Sequence, residues 1–424
     1  MEQKKLLMLG TSRASCEMIE YAKNQGIYTI VTDYFSPEES SAKLIADEYW
    51  MISTGDFDVL EEKCREERIN GVCSGISTYC IPASIELSKR LGLQAYCTNE
   101  AWHYTMNKGD FKTLCRSCGV PVATDYFVSN PPTDIELKQI KFPVVVKAVD
   151  QSANRGMSYC FSVDEIIPAI EYAHRFSKDT HVIIERMLKG IEYTAYYALA
   201  DGEASLVNLY TDLAQPGTPN NCYSVNSTVC NKLNLYLKEI DPYFKQALKK
   251  GGMTDGVCWI ELILDEDGHF YVIEMGYRMS GDMMAIPIRD VTGFDSYKWM
   301  VDIALGKKHR KVDLPQEQTS VSKKCGCSYI MWSKNRKGVV ERIEGIDKVL
   351  KMEGVYMDPK SIKEGSAFVS NQYMLIFTFT KDDVDGVIET IDKINQCVCV
   401  YDSTGEEVLL RFTDFENLRD LQRQ

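Results

Sequence analysis

The sequence lacks the short signatures by which many nucleotide enzymes are read. No G-x-x-x-x-G-K-[S/T] occurs in its 424 residues, and no G-x-G-x-x-G follows the first strand-like run. Any nucleotide site must therefore be built differently. No apolar run approaches the length of a membrane span, which argues against a membrane partner. Histidine is scarce, with five residues, and no Ser/His or Cys/His constellation stands out. Positive charge is in deficit: 48 Lys and Arg against 61 Asp and Glu, a formal net charge of −13. That balance argues against a nucleic-acid surface. Internal repeats and low-complexity tracts are absent as well.

Fifteen cysteines are scattered along the chain, an odd number. Reduced thiols and a cytoplasmic location fit this better than a disulfide framework. Cys115-x-x-Cys118 is a lone CxxC. The CxC pairs Cys325/Cys327 and Cys397/Cys399 lie in β-like runs, where cysteine often fills core space. The opening "MEQKKLLMLG" is too short for a signal-peptide core and reads as a first strand.

The length allows two or three domains with ample core. Strand, helix and strand alternate from 5 to about 100: "KLLMLG", a helix ending at Gly26, "IYTIVTDY", helices at 57–68 and 80–91, "GVCSG", and a short strand "LQAY". This order implies a parallel α/β unit. From about 101 the texture changes. A helix "NKGDFKTLCRSCG" precedes the strands "FPVVVKAVD" and "MSYCFS", a helix at 164–177 and the strand "HVIIE". A hairpin then turns at Asp201-Gly202. Residues 214–231 read as a long polar loop, and a helix covers 233–249. The remainder, about 309–424, reads as a smaller β-rich domain with one clear helix near 383–395.

The run "WIELILDEDGHFYVIEMGYR" carries the most chemistry. Its two β-rich halves flank Asp267-Gly268, a pair suited to a tight hairpin turn. A two-residue loop places Ile260 opposite Met275, Leu262 opposite Ile273 and Leu264 opposite Tyr271 as an apolar core face. On the other face Glu261 falls opposite Glu274. Like charges so opposed are destabilising unless they share a proton or a cation. Mg²⁺ takes carboxylate oxygens together with substrate phosphates. Two solvated glutamates on an exposed face are the bland alternative.

Lys147 sits on an otherwise apolar strand, and buried lysines need an anion. Alone, it fits a snorkelling lysine as well. The loop "DQSANRG" after it offers small residues, a glycine and Arg155, able to close backbone N–H groups over phosphates. "VIIERMLKGIEY" ends one strand on Glu185, crosses Arg186-Met187-Leu188 and restarts at Gly190, with Glu192 beyond.

The order of these features resembles the ATP-grasp superfamily, over residues 1 to about 308. "FPVVVKAV", "ERMLKGIEY" and the glutamate hairpin carry the match together; singly none is specific. The resemblance implies an α/β protein in three parts: a Rossmann-like parallel α/β domain (1–100), an ATP-grasp α+β domain (101–308, with a lid at about 120–190), and a small β-rich domain (309–424). It implies that Lys108 and Lys147 contact ATP phosphates and that Ser152, Arg155 and Gly156 cover them. Glu185 and the backbone of Met187 and Leu188 would read adenine, and Glu192 the ribose. Glu261 and Glu274 would hold Mg²⁺ or Mn²⁺. Arg278 would bind the transferred phosphate or the substrate carboxylate, and Gly281 and Asp282 would line the acceptor site. There is one departure. The family's usual Glu-x-Asn-x-Arg reads Glu274-Met275-Gly276-Tyr277-Arg278, with glycine for the metal-binding asparagine; Asp282 and Asn226 are candidate substitutes. The implied activity is an ADP-forming ligase joining a carboxylate to an amine, with small-molecule substrates and a homodimer as an option. A thiol ligase, a phosphotransferase and a non-catalytic ATP-binding protein are the rivals.

Overall fold

A computed structural model describes residues 3–150, 155–177, 182–218, 222–358 and 361–421. The first part is the expected parallel unit. Strands β1 (Lys5–Leu9), β2 (Tyr28–Thr32), β3 (Glu48–Trp50) and β4 (Gly71–Ser74) form a sheet in the order β3-β2-β1-β4. All three pairings are parallel. Helices α1 (Arg13–Asn24) and α2 (Cys80–Leu91) start beyond the carboxyl ends of β1 and β4. Ser12 caps α1 by accepting from the Ser15 N–H, and Ala14, Met18, Ile19 and Ala22 form its buried face at helical spacing. "LQAY" is not a strand. Tyr96 instead leaves the unit, donates to the Tyr277 carbonyl at 2.8 Å, and sets its ring edge-on to Tyr277.

Helix α3 (Lys108–Ser117) is capped by Asn107 and leads into a small antiparallel sheet. Its strands are β5 (Asp125–Tyr126), β6 (Val144–Ala148), β7 (Ser158–Cys160) and β8 (Val182–Arg186), in the order β5-β8-β6-β7. Helix α4 (Ile166–His174) covers it. Val144, Val146, Ile166, Ile170 and Ile184 make a core separate from the larger clusters. Val144 and Val146 face that core. Strand alternation therefore turns Val145 and Lys147 to the other face, where Val145 pairs with Glu185.

The central sheet is larger than the sequence suggested. It runs β9 (Gly190–Ala200), β10 (Glu203–Ala214), β11 (Tyr223–Ser227), β12 (Gly256–Asp265), β13 (Phe270–Gly276) and β14 (Cys325–Trp332). Beyond β15 (Gly338–Glu344) come β16 (Tyr356–Met357), β17 (Ala367–Phe368), β18 (Tyr373–Lys381) and β19 (Cys399–Asp402). The eight-stranded order is β13-β12-β9-β10-β11-β14-β18-β16, and β17-β15-β19 form a separate ribbon. Three strands from beyond residue 309 thus extend the central sheet, with α5 (Val384–Cys397) packed on them.

Asp201 and Gly202 both take positive φ, as a primed two-residue turn demands. Three other expectations fail. Residues 214–231 are not one loop: β11 lies there, paired on both sides, and Val225 is fully buried. Polar residues at 224, 226, 227 and 228 disguised it, because its face lines a polar cavity rather than solvent. The helix expected at 233–249 breaks at Ile240, where Asp241-Pro242 starts a new one. In the glutamate hairpin the loop has three residues, since the Asp265 N–H bonds the His269 carbonyl and Leu264 pairs with Phe270. A bulge at Ile273 then removes the one-residue offset. Tyr271 and Ile273 consequently leave the core face, which Phe270, Val272 and Met275 complete, yet Glu261 still faces Glu274.

Candidate functional site

The sheet registers bring polar residues into rows across one face. Glu274 pairs with Glu261, and Glu261 with Thr194. Two residues along, Glu192 pairs with Asp212, Asp212 with Asn226, and Asn226 with Ser328. This face forms one wall of a cavity of about 1110 Å³. The loops after β1 and β4 form the opposite wall, with Thr11, Arg13 and Ser77, and the C-terminal strands close an end with Ile330 and Ile376. Arg278, Gly281 and Asp282, from the segment that follows β13, lie in the same lining.

The paired glutamates are resolved in the ligand-free chain by both of the expected routes at once. Lys108, on the first turn of α3, forms an ion pair with Glu274. Burial would raise the Glu274 carboxyl, but the Lys108 ammonium outweighs it and holds the group below the usual range. Burial, then Glu274 and Glu192, push Glu261 well above it. Glu274 therefore keeps a cation and Glu261 keeps a proton. Two facing carboxylates, one held by a cation and the other favouring a proton, fit a divalent ion completed by phosphate oxygens. Among the described residues no cluster of three His, Cys, Asp or Glu side chains forms a cage of its own.

Arg278 donates to the Met279 carbonyl at 2.7 Å, and its guanidinium lies 5.1 Å from the Trp259 ring centre. Its Nε is buried without a partner. The missing asparagine has a steric account. Gly276 pairs with Trp259, and a Cβ at 276 would come within 2.2 Å of the indole. The ring that supports Arg278 thus occupies the space an asparagine needs.

Lys147 is buried with an anion, as a lysine on an apolar strand requires. Lys147 and Lys112 each form an ion pair with one oxygen of Glu185, and Lys112 also reaches Asp125. Lys112 is 1% exposed. It stands one turn after Lys108 on α3, and that spacing is the signal in the sequence that could have found it. Burial favours the neutral Glu185, but Lys147 and Lys112 hold its carboxyl at about 2. Helix α3 thus contacts the glutamate pair with one lysine and the small antiparallel sheet with the next. In the crossover after β8, the Met187 N–H bonds the Pro143 carbonyl at 3.1 Å. Leu188 follows it in the same crossover. Arg155 is exposed, Gly156 takes φ of 72°, and Ser152 lies outside the described residues.

Glu192 is buried and accepts from the Tyr223 hydroxyl. Burial, with Asp212 beside it, pushes its carboxyl up to about 8. A raised carboxyl binds its proton in the folded chain after the unfolded chain has lost it. Stability should therefore fall as pH rises from the ordinary glutamate value, about 4.3, to about 8. Melting temperatures across that window should show a shallower fall in Glu192→Gln than in the wild type. Identical slopes would mean that Glu192 is ionised throughout.

Residues 140–286 match the family model of the ATP-grasp domain. The chain is 23% identical over 346 residues to the mitochondrial methylcrotonoyl-CoA carboxylase subunit alpha of Rattus norvegicus, covering 74% of this chain and 45% of that protein. It spans about half the length of several curated relatives that it matches. Among solved structures, the L-amino acid ligase of Bacillus licheniformis superposes with a TM-score of 0.76 at 16% identity, over 95% of this chain and all of that one. The biotin carboxylase domain of the Hydrogenobacter thermophilus 2-oxoglutarate carboxylase, solved with MgADP, ADP and bicarbonate, gives 0.74 at 16% identity over 99% and 94%. No helix among the described residues is long and apolar enough to cross a membrane.

Proposed function

We propose, from the ATP-grasp domain that this chain carries, that it is an ATP-dependent ligase joining a carboxylate to an amine, with ADP and phosphate as products. The observation that carries this reading is the facing pair Glu261 and Glu274 on the wall of a cavity that also takes Arg278. Glu261 and Glu274 would hold Mg²⁺, which would supply charge neutralisation at the phosphates. Lys108 would exchange Glu274 for a phosphate oxygen, and Lys147 would exchange Glu185. The substrate carboxylate takes the terminal phosphoryl group of ATP and ADP leaves. The amine nitrogen then attacks the acyl carbon, and phosphate leaves with the bonding electrons. Arg278, rigidly held against Trp259, would steady the carboxylate and the phosphoryl charge. Positioning and charge neutralisation account for most of the rate in such chemistry. No protein nucleophile is required.

An acyl phosphate is electrophilic at carbon, so hydroxylamine should intercept it and give a hydroxamate from the acid without the amine. A panel of carboxylic acids, bicarbonate included, is assayed for hydroxamate or acid-dependent phosphate release and for the nucleotide product. Arg278→Lys should lower the signal about 100-fold, because lysine lacks the two-pronged planar donor. ATP affinity should change far less. AMP as the product, a stable phosphate ester, or wild-type rates in Arg278→Lys would each overturn the mechanism.

A further inference from the structure

The polar rows continue past Glu261 and Glu274 to a trio whose two carboxylates form no ion pair with a basic side chain among the described residues; Arg278 acts on Asp282 only from a distance. Asp212 and Asn226 are both 4% exposed and face each other across β10 and β11. Asp212 accepts from the Thr194 hydroxyl at 2.7 Å and from Asn226 Nδ2 at 2.6 Å. The same amide nitrogen lies 3.3 Å from Asp282 Oδ2, which also takes the Tyr210 hydroxyl at 2.7 Å. Ser280 and the Met284 N–H hold the other Asp282 oxygen. The Asn226 amide nitrogen is thus turned to the two carboxylates. Its carbonyl oxygen is left buried and without a partner. A buried amide oxygen with no donor is rare enough to require an explanation.

All three residues line the cavity. Among the described residues Arg13 and Arg278 are the basic residues in that lining, and Arg13 is engaged by Glu17. A divalent ion would answer Glu261 and Glu274. It leaves Asp212, buried, and Asp282, half-buried, without an ion pair of their own among the described residues, and a carboxylate's charge in such a setting is costly unless a cation joins it.

We propose that Asp212, Asn226 and Asp282 seat the ammonium group of the amine substrate, which therefore enters as a primary alkylammonium such as the amino group of an amino acid. This rests on the ligase reading above. An ammonium is donor-only, and the trio offers two carboxylates and one unsatisfied carbonyl oxygen. A second Mg²⁺ fits less well. It demands near-octahedral oxygen coordination, whereas these carboxylate oxygens are already turned toward hydroxyl and amide donors. The seat also suits the chemistry. The ammonium passes a proton to one of the two carboxylates, the freed lone pair forms the C–N bond as the C–O bond to phosphate breaks, and the nitrogen's second proton goes to the departing phosphate.

Hydroxylamine is largely uncharged near neutral pH and does not need the seat. Asp282→Asn and Asp212→Asn keep the shape and remove the charge. The ratio of amide product to hydroxamate, with L-amino acids as amines, should fall about thirtyfold in each. An unchanged ratio overturns the proposal. A raised Mg²⁺ requirement at an unchanged ratio also overturns it, and assigns the trio to a metal. Calorimetric titration of the nucleotide-free protein with propylammonium chloride should show binding that both variants lose. Equal binding in the variants, or none in the wild type, overturns the seat. If no acid yields hydroxamate or phosphate in the wild type, the ligase reading fails, and the ammonium titration judges the seat by itself.

Discussion

Glu274→Gln is expected to reduce turnover at least about 1,000-fold, because Glu274, in the proposed role of metal holder, would act on the charge that develops in the transition state. The folded chain should survive the change. Lys108 loses its partner, but Glu261 stands directly opposite and can ionise to replace it. Glu261→Gln tests the pair from the other side. Burial and Glu274 push the Glu261 carboxyl well up, toward its protonated form, and glutamine has nearly the shape of a protonated glutamate. Its melting temperature should therefore match the wild type closely, while turnover falls, though less than for Glu274→Gln. A further consequence concerns protons. Metal binding must take the proton from Glu261, so Mg²⁺-dependent turnover should rise with pH and calorimetry should detect proton release. Near-normal turnover in both variants with Mg²⁺ would mean that this hairpin is not the metal site.

The glutamate pair was legible because it depends on one hairpin, where register follows from local sequence. The loop was one residue longer than expected, and the bulge at Ile273 cancelled the error before it reached Glu261. Lys147 was legible as a charge in an apolar run. Asn226 and Asp282 were named only as possible metal groups, and their assembly with Asp212 was not legible, since three separate segments build the trio. Nothing local says that β11 pairs with β10 on one side and with β14, a hundred residues later, on the other. Polar residues facing a cavity also erase the apolar alternation by which a buried strand is read. The same limit hid Lys112 and the sharing of the central sheet by the last third of the chain. Gly276 was visible as a departure, but its cause, the Trp259 indole lying across it, appears only once the two strands are paired.

Lys147→Met should affect both ATP affinity and stability, and the structure fixes the sign of each. On the sequence alone, a lysine kept for phosphate could be removed from the free protein without loss. The buried ion pair with Glu185 changes that expectation. Removing one member of a buried pair leaves the other uncompensated, and here Lys112 retains part of the balance. A destabilisation of about 2 kcal/mol is expected, below the full cost of an orphaned buried charge. The loss should depend on pH in a defined direction. Lys147 and Lys112 overcome the opposing effect of burial and hold Glu185 at about 2, well below the unfolded value. That contribution is fully present above the ordinary glutamate range, and it is lost as pH falls through the folded pKa. Lys147→Met raises the Glu185 pKa, so the variant should unfold in acid at a higher pH than the wild type. ATP affinity should fall about tenfold to a hundredfold through loss of a charged phosphate contact. Stability and affinity are separated by Lys147→Met/Glu185→Met, with Glu185→Met alone as the reference because Glu185 is itself an expected adenine contact. Replacing both members of a buried pair by apolar groups is often close to neutral, and Lys112 keeps Asp125. Denaturant unfolding of the double variant should therefore recover most of the lost stability, while calorimetric titration with Mg-ATP shows affinity still depressed. Recovery of ATP affinity together with stability would make Lys147 a packing and pairing residue of the lid, with no contact to phosphate.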